Sequence, residues 1–289
     1  MKLSIIIVNY NTKEYLRQAL QSIKQSTDQL DKEVIVVDNA STDDSLNLVK
    51  HNFPWVKLIA SPQNLGYAAA NNLGLKQASS EYILFLNSDT EILPDTLSIM
   101  IDFMDQHKDV GVSTCRVELP TGQIDPASHR GFPTPWAALT YFTGLETAFP
   151  KLRLFGQYHQ GWQDLSMIHE IDSPAGAFFL TRKQILDAIG SFDDRFFMYA
   201  EDLDLALRIK QAGWKVMYVP TTKIIHHKKK SGRHSADPHL RRTTSQHFFT
   251  TMKLFYDKHY KNRYPFIVRW LVLIGIRLIR SIRNYAHRY

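Results

Sequence analysis

Cysteine occurs once, at Cys115, so no disulfide can form within the chain and a disulfide-stapled fold is excluded; a lone thiol fits a reducing, cytosolic setting. No apolar run approaches the ~20 residues a membrane-spanning helix needs. The uninterrupted apolar stretch near the C-terminus runs only from Trp270 to Ile276. No Gly-x-Gly-x-x-Gly follows the first apolar segment, which argues against a dinucleotide-dependent oxidoreductase. Internal repeats and low-complexity segments are also missing. Acids almost vanish from the last quarter: residues 221–289 hold 16 Lys and Arg against only Asp237 and Asp257. That segment is therefore +14 in a chain of +7, and residues 1–220 carry −7. Such asymmetry points to an anionic partner surface, either lipid or nucleic acid.

The 289 residues are 44% hydrophobic, enough for a globular core. The opening stretch from Met1 to Val8 is apolar, but it turns polar at Asn9 with no small-residue cleavage site, so it reads as a buried strand rather than a signal peptide. Strand and helix then alternate. Strands are expected at 3–8, 33–38, 56–60, 81–86 and 110–117. Helices are expected at 13–26, from a cap at Ser41 or Thr42 to about 51, at 66–78, and from Pro94 to about 107. Alternating βα units imply a doubly wound, parallel sheet. Residues 118–172, with Pro120, Pro126, Pro133, Pro135 and Pro150, read as loops with short helices over a site. A strand at 176–181, a helix at 201–212 ending on Gly213, and a strand at 214–219 stopped by Pro220 follow. From Phe266 to Ile282 a further helix is expected. Its Arg269, Arg277 and Arg280, with Arg283 beyond, fall within an arc of about 120°, as in a helix lying in a membrane interface.

Two of the apolar runs end on aspartates, Asp38 and Asp89. In an open parallel sheet, ligands bind at the carboxyl ends of strands, so both carboxylates would face one crevice. Each can also be a plain turn-forming residue. Asp38 can otherwise accept a hydrogen bond from a pyrimidine N3–H. Asp89, beside Asn87 and Ser88, can hold a divalent cation on a diphosphate, which needs only one or two protein carboxylates. The segment from Asn64 to Gly74 places Asn71 and Asn72 inside an alanine run; asparagine is a poor helix former, so these side chains suggest ligand contacts or a solvent-facing helix surface. Glu201, Asp202 and Asp204 follow the aromatic run Phe196–Tyr199 and open a helix. The helix dipole stabilises one or two such acids. A third fits a general base that takes a proton from a sugar hydroxyl. His226 and His227 precede Lys228, Lys229 and Lys230; one imidazole can complete a metal shell, and the lysines with Arg233 suit phosphates.

Taken together over residues 2–232, these segments resemble a family 2 glycosyltransferase of the glycosyltransferase A fold, and most of all its bacterial rhamnosyltransferase-like branch. The resemblance rests on Ile7-Val8-Asn9-Tyr10-Asn11, Val36-Val37-Asp38-Asn39-Ala40-Ser41, Asn64-Leu65-Gly66, Asn71-Asn72, Leu86-Asn87-Ser88-Asp89, Gly176-Ala177 and Glu201-Asp202-Leu203-Asp204. It implies an α/β fold with a mostly parallel, Rossmann-like sheet flanked by helices and a C-terminal helical extension. Residues 1–117 would be a nucleotide-binding half, 118–232 an acceptor-binding half, and 233–289 a basic amphipathic tail. It further implies that Asn9, Tyr10, Asp38, Asn64, Gly66, Asn71 and Ser88 contact the nucleotide and that Gly176, Ala177 and Glu201 line the donor and acceptor sugars. Asp89 and His226 would hold Mg2+ or Mn2+, and Asp202 would be the base. Asn87 replaces the first acid of the family's metal motif, which weakens metal binding.

The expected reaction is an inverting, metal-dependent transfer of L-rhamnose from dTDP-rhamnose to a lipid-linked glycan in cell-surface polysaccharide synthesis, on the cytoplasmic side of an anionic membrane. A UDP-hexose or UDP-galactofuranose transferase is the alternative within the family. A non-catalytic sugar-nucleotide binder, or a nucleic-acid binder using the basic tail and its aromatics, is the alternative outside it; no nucleic-acid partner is expected. Thymine and uracil both offer an N3–H to Asp38, and an oligomer is compatible with the sequence.

Overall fold

The computed structural model describes residues 1–228 and 238–286, with side chains described through 228 and over 244–278. Lys229, Lys230 and Arg233, and the Arg280 and Arg283 side chains, lie outside the described residues.

In chain order the elements are β1 (Leu3–Asn9), α1 (Lys13–Lys24), β2 (Lys32–Asp38), α2 (Ser45–Asn52), β3 (Lys57–Ala60), α3 (Gly66–Leu75), β4 (Tyr82–Asn87), β5 (Thr90–Ile92), α4 (Thr96–Gln106) and β6 (Val110–Glu118). Then come α5 (Pro135–Phe142), α6 (Leu145–Ala148), β7 (His169–Glu170), β8 (Phe178–Arg182), α7 (Lys183–Ile189), α8 (Glu201–Gln211), β9 (Lys215–His226), α9 (Pro238–His259) and α10 (Phe266–Ala286).

The strands form one sheet in the order β3-β2-β1-β4-β8-β6-β9-β5, with β7 on β9. Strands β1 to β4 pair in parallel, as the βα alternation predicts. Beyond β4 the sheet is mixed. Strand β8 lies between β4 and β6 and runs antiparallel to both, a departure from the all-parallel order. Its run Phe178–Arg182 is buried throughout, so it needs cover on both faces and takes an interior place.

The continuous apolar run of β1 has the same cause. Leu3, Ile5 and Ile7 face a core shared with Leu16, Leu20 and Ile23 of α1, whereas Ile6 faces the opposite core with Ala68 of α3. Alternate side chains point to opposite faces, so a strand covered on both faces must be apolar at every step.

Three local expectations are corrected. Helix α2 starts at Ser45, not after Ser41 or Thr42, because those residues are engaged by the loop after β1. Ser41 Oγ accepts from Asn9 Nδ2 at 3.0 Å and from the Asn11 amide at 3.1 Å. Pro220 does not end β9; the pairing with β6 slips between Val219 and Lys223, and this bulge absorbs a residue that has no N–H to donate. The short β5 was not anticipated, and it pairs with the end of β9.

The stretch after residue 232 is of two kinds. Phe255, Tyr256 and Tyr260 of α9 and its C-terminal turn are buried with Phe196, Leu203 and Leu207 around α8. Lys258 and His259 reach the buried Asp204 at 2.6 and 2.7 Å. Helix α10, by contrast, exposes Phe266, Ile267, Trp270, Leu271 and Leu278. No helix among the described residues is long and apolar enough to cross a membrane.

Candidate functional site

The ends of β1, β2 and β4 meet in one hydrogen-bonded floor. In the β1–β2 register Asn9 stands opposite Asp38. Asn9 Nδ2 donates to Asp38 Oδ1 at 3.1 Å, and the Ser41 amide donates to Asp38 Oδ2 at 2.9 Å. Thr12 Oγ1 donates to Asn9 Oδ1 at 2.7 Å and lies 2.8 Å from Ser88 Oγ. Asp38 is 1% exposed, so Asn9 and Asp38 sit under the wall rather than on it. The loops above them hold Asn11, Ala40 and Asp44 at positive φ, a conformation kept only where the surroundings over-determine it.

Asn39 and Asn64 brace the next part of the wall. Asn39 Nδ2 donates to Asn64 Oδ1 at 2.9 Å, and the Gly66 amide donates to the same oxygen at 2.9 Å. Gly66 has φ +80°, and a Cβ there would lie 2.4 Å from the Phe197 carbonyl oxygen. Only glycine fits. The Tyr67 amide then donates to that carbonyl at 2.7 Å, and Tyr67 Oη donates to the Gly176 carbonyl at 3.0 Å.

Asn71 is not brought to the cavity. One turn beyond Tyr67 (i+4), its amide folds back onto the Tyr67 carbonyl at 2.9 Å. Asn72 ties α3 to the chain before α8 through the Phe192 carbonyl at 2.8 Å and Ser191 at 2.7 Å. The asparagine pair therefore satisfies protein groups, which the alanine-rich context did not reveal.

The β5–β9 pairing sets Thr90 opposite His226 and so brings Asp89 to the imidazole. His226 Nε2 is 3.2 Å from Asp89 Oδ1, and Nδ1 is 3.2 Å from Asp125 Oδ2. Burial alone would depress His226, but hydrogen bonds to Asp125 and Asp89 and their charges hold it up at about 9. Burial would raise Asp125; His226 and Lys228, the latter at 2.6 Å, instead hold it well below the usual carboxylate range. A carboxylate behind a ring nitrogen is the arrangement that orients a metal-binding imidazole. Among the described residues no group of three or more His, Cys, Asp or Glu side chains could hold an ion. Asp89 and His226 thus fit a divalent cation only as a partial set, with phosphate oxygens of a substrate filling the remaining positions.

At the other end, Tyr199 and Ala200 at positive φ turn the chain sharply into α8. Asp202 Oδ2 takes Arg130 Nη2 at 2.6 Å and the Gly176 amide at 3.2 Å. Arg130 is fixed by a β-bridge to Ser173 and by its own bond to the Pro174 carbonyl at 3.0 Å. Glu201 beside it is pushed up to about 8 by burial and then by the charge of Asp202. Both effects favour the protonated, neutral form of Glu201. Asp204, the third acid, is fully buried between Arg208, Lys258 and His259 and is structural.

One cavity of about 1470 Å³ connects these parts. Tyr10, Asn64, Gly66, Ser88, Asp89, Gly176, Ala177, Glu201, Asp202 and His226 all line it. Arg130, Tyr67 and Lys228 line it too, and Asp125 stands behind His226. Sequence reasoning missed Tyr67, Arg130 and Asp125, and named Lys228 only among the lysines suited to phosphates. Asp125 and Arg130 lie in the irregular segment 118–172, where no periodicity marks a position. Lys228 carried a signal, its place in the basic run after His227.

A parallel nucleotide-type half joined to a mixed half, with acids at the strand ends and at the start of α8, is the arrangement of the glycosyltransferase A fold. Solved structures agree. S. aureus TarS 1–349 in complex with UDP-GlcNAc matches with a TM-score of 0.57 at 22% identity, over 88% of this chain and 65% of that one. GalNAc-T7 with UDP, GalNAc and Mn2+ matches at 0.59 and 16% identity, over 78% of this chain and 44% of that one. The chain belongs to glycosyl transferase family 2, whose family model matches residues 4–189, and it is a glycosyltransferase. Among its relatives is an N-acetylglucosaminyl-diphospho-decaprenol L-rhamnosyltransferase of Mycobacterium tuberculosis, 26% identical over 89% of this chain and 85% of that protein. Another is the rhamnosyltransferase WbbL of Escherichia coli K12, 27% identical over 77% and 82%.

Proposed function

We propose that the chain transfers L-rhamnose, with inversion, from dTDP-rhamnose to a sugar of a lipid-linked glycan. The observation that carries the reading is one cavity lined both by Asp89 with His226 and by Asp202 with Arg130. The donor and acceptor classes follow the two rhamnosyltransferase relatives, one of which is named for a diphospho-decaprenol acceptor.

In this reading Tyr10, Asn64, Gly66 and Ser88 line the nucleotide pocket, with Asn9 and Asp38 supporting it from below. Asp202 takes the proton of the acceptor hydroxyl as that oxygen attacks the anomeric carbon and the diphosphate leaves from the opposite face. The Gly176 amide and Arg130 hold the carboxylate in place. Glu201 donates a hydrogen bond to a sugar oxygen. Mg2+ or Mn2+ bound through Asp89 and His226 would supply positive charge for the departing diphosphate. Inversion rests on the family likeness and on a single base without a nucleophile partner. The nucleic-acid alternative loses support because Phe249, Phe255, Tyr256 and Tyr260, which would stack on bases, are buried.

Thermal shift and turnover over dTDP-rhamnose, UDP-hexoses and UDP-galactofuranose, with and without Mn2+, test the donor. The expected outcome is the largest stabilisation and turnover with dTDP-rhamnose and Mn2+. Asp202→Asn is expected to keep nucleotide affinity and lose transfer by about 10²–10⁴-fold, the usual share of a general base. Near-normal turnover would remove Asp202 from the mechanism, and a preference for a UDP-sugar would replace the donor.

A further inference from the structure

The cavity is larger than its polar chemistry requires. Small-molecule sites are roughly 300–1,000 Å³, and this one is about 1470 Å³. Besides the polar groups described above, its lining includes apolar side chains of three helices that carry no catalytic group, α5, α9 and α10. Phe248, Met252 and Phe255 line it from α9. Trp136, Leu139 and Phe142 line it from α5. From α10 come Val268, Leu271, Val272, Gly275 and Leu278, spaced at three and four residues, so they form one stripe along one helix face. From Val268 to Leu278 that stripe is about 15 Å long at the helical rise. Several of these lining side chains are also largely exposed, Trp136 and Leu139 on α5 and Leu271 and Leu278 on α10, with Trp270 exposed beside them. This apolar slot thus belongs to the same cavity as the carboxylate of Asp202 and reaches solvent.

We propose that this slot, lined by α5, α9 and α10, binds the hydrocarbon chain of the acceptor, next to its diphosphate, while the acceptor sugar reaches Asp202. The inference deepens the lipid-linked acceptor reading and rests on it. A long apolar chain is the occupant that suits this lining. It is continuous with the site where the acceptor hydroxyl must sit, and it leads out over side chains that suit a bilayer. Gly275 is the gap in the α10 stripe. A Cβ built there meets nothing within 4 Å, so a large side chain would fill the slot without disturbing the helix.

The test uses the full chain and sugar-diphosphate acceptors carrying dimethylallyl, geranyl or farnesyl chains. In the unaltered protein KM is expected to fall at least tenfold from the shortest chain to the longest, with kcat little changed. Gly275→Trp is expected to erase that dependence, and Leu139→Gln to weaken it, with thermal shift by nucleotide as the control for folding. In parallel, binding of a fluorescent farnesyl diphosphate analogue is read directly, in competition with inorganic diphosphate. Chain-length dependence that persists in Gly275→Trp, or KM values equal for all three chains, would overturn the slot. If no acceptor is glycosylated, the transfer reading fails; the slot then stands if the farnesyl probe binds at least tenfold more tightly than diphosphate and loses this in Gly275→Trp, and falls if it does not.

Discussion

Glu201 shows how one side chain links chemistry to stability. Its carboxyl is held at about 8 against an ordinary 4.5 because burial and Asp202 disfavour its charge. Between those values the folded chain keeps a proton that the unfolded chain has released. Stability is therefore undiminished below about 4.5 and falls as pH rises toward 8. Glu201→Gln cannot ionise, so its melting temperature relative to the unaltered protein is expected to rise from pH 5 to pH 8, by about 2–4 °C for each kcal/mol removed. Parallel melting curves for the two proteins across that range would discard a neutral Glu201. At this scale the acids that close apolar runs or open a helix were singled out, and the structure places Asp89 and Asp202 on the cavity and Asp38 beneath its wall. Arg130 and Asp125 were not, since each meets its partner only after long loops close, 72 residues away for Arg130–Asp202 and 101 for Asp125–His226. Asn71 was expected at the nucleotide, whereas in the structure its amide lies on the Tyr67 carbonyl of the preceding turn; composition does not distinguish that placement from a ligand contact.

Helix and strand positions were largely legible in the first 115 residues, where a period of two or of 3.6 marks each element. Placement was less so. Nothing local tells β8 to enter between β4 and β6, or β9 to pass through Pro220, because both depend on pairing partners far along the chain. The pairing of α8 with α9 is of the same kind. Asp204 looked like one more acid at a helix start, and its role emerged only with Lys258 and His259 beside it. Burial would raise Asp204, but His259, Lys258 and Arg208 hold it below the usual range. Its stabilising effect is thus present above the ordinary carboxylate pKa and lost as pH falls through the depressed one. Removing one partner of a buried pair costs about 3–5 kcal/mol. Asp204→Asn is accordingly expected to lower the melting temperature by roughly 6–20 °C and to speed amide exchange in α9 ahead of the sheet. Unchanged exchange in α9 would mean that its aromatic side chains suffice to hold it.

Across the whole molecule the charge is split, −7 over residues 1–220 and +14 over 221–289. In the structure α9 packs against the region around α8, and α10 presents exposed apolar side chains on a helix that also carries Arg269 and Arg277. We expect the full chain to bind liposomes containing anionic lipid, with binding weakened by salt because exposed charges are screened within about 10 Å at 0.1 M. A chain shortened to end near Arg263 is expected to lose most of this binding. Equal sedimentation of the two with vesicles would take α10 out of membrane attachment.

A single peptide hydrogen bond, from the Tyr67 amide to the Phe197 carbonyl, splices the segment that lines the proposed nucleotide pocket to the loop that leads to the proposed base. Gly66 is the clearance that lets them touch. A methyl group there would act as a wedge driven between the two halves of the enzyme, so Gly66→Ala should slow turnover even at saturating donor. A purely local defect would raise KM for the donor and leave kcat alone.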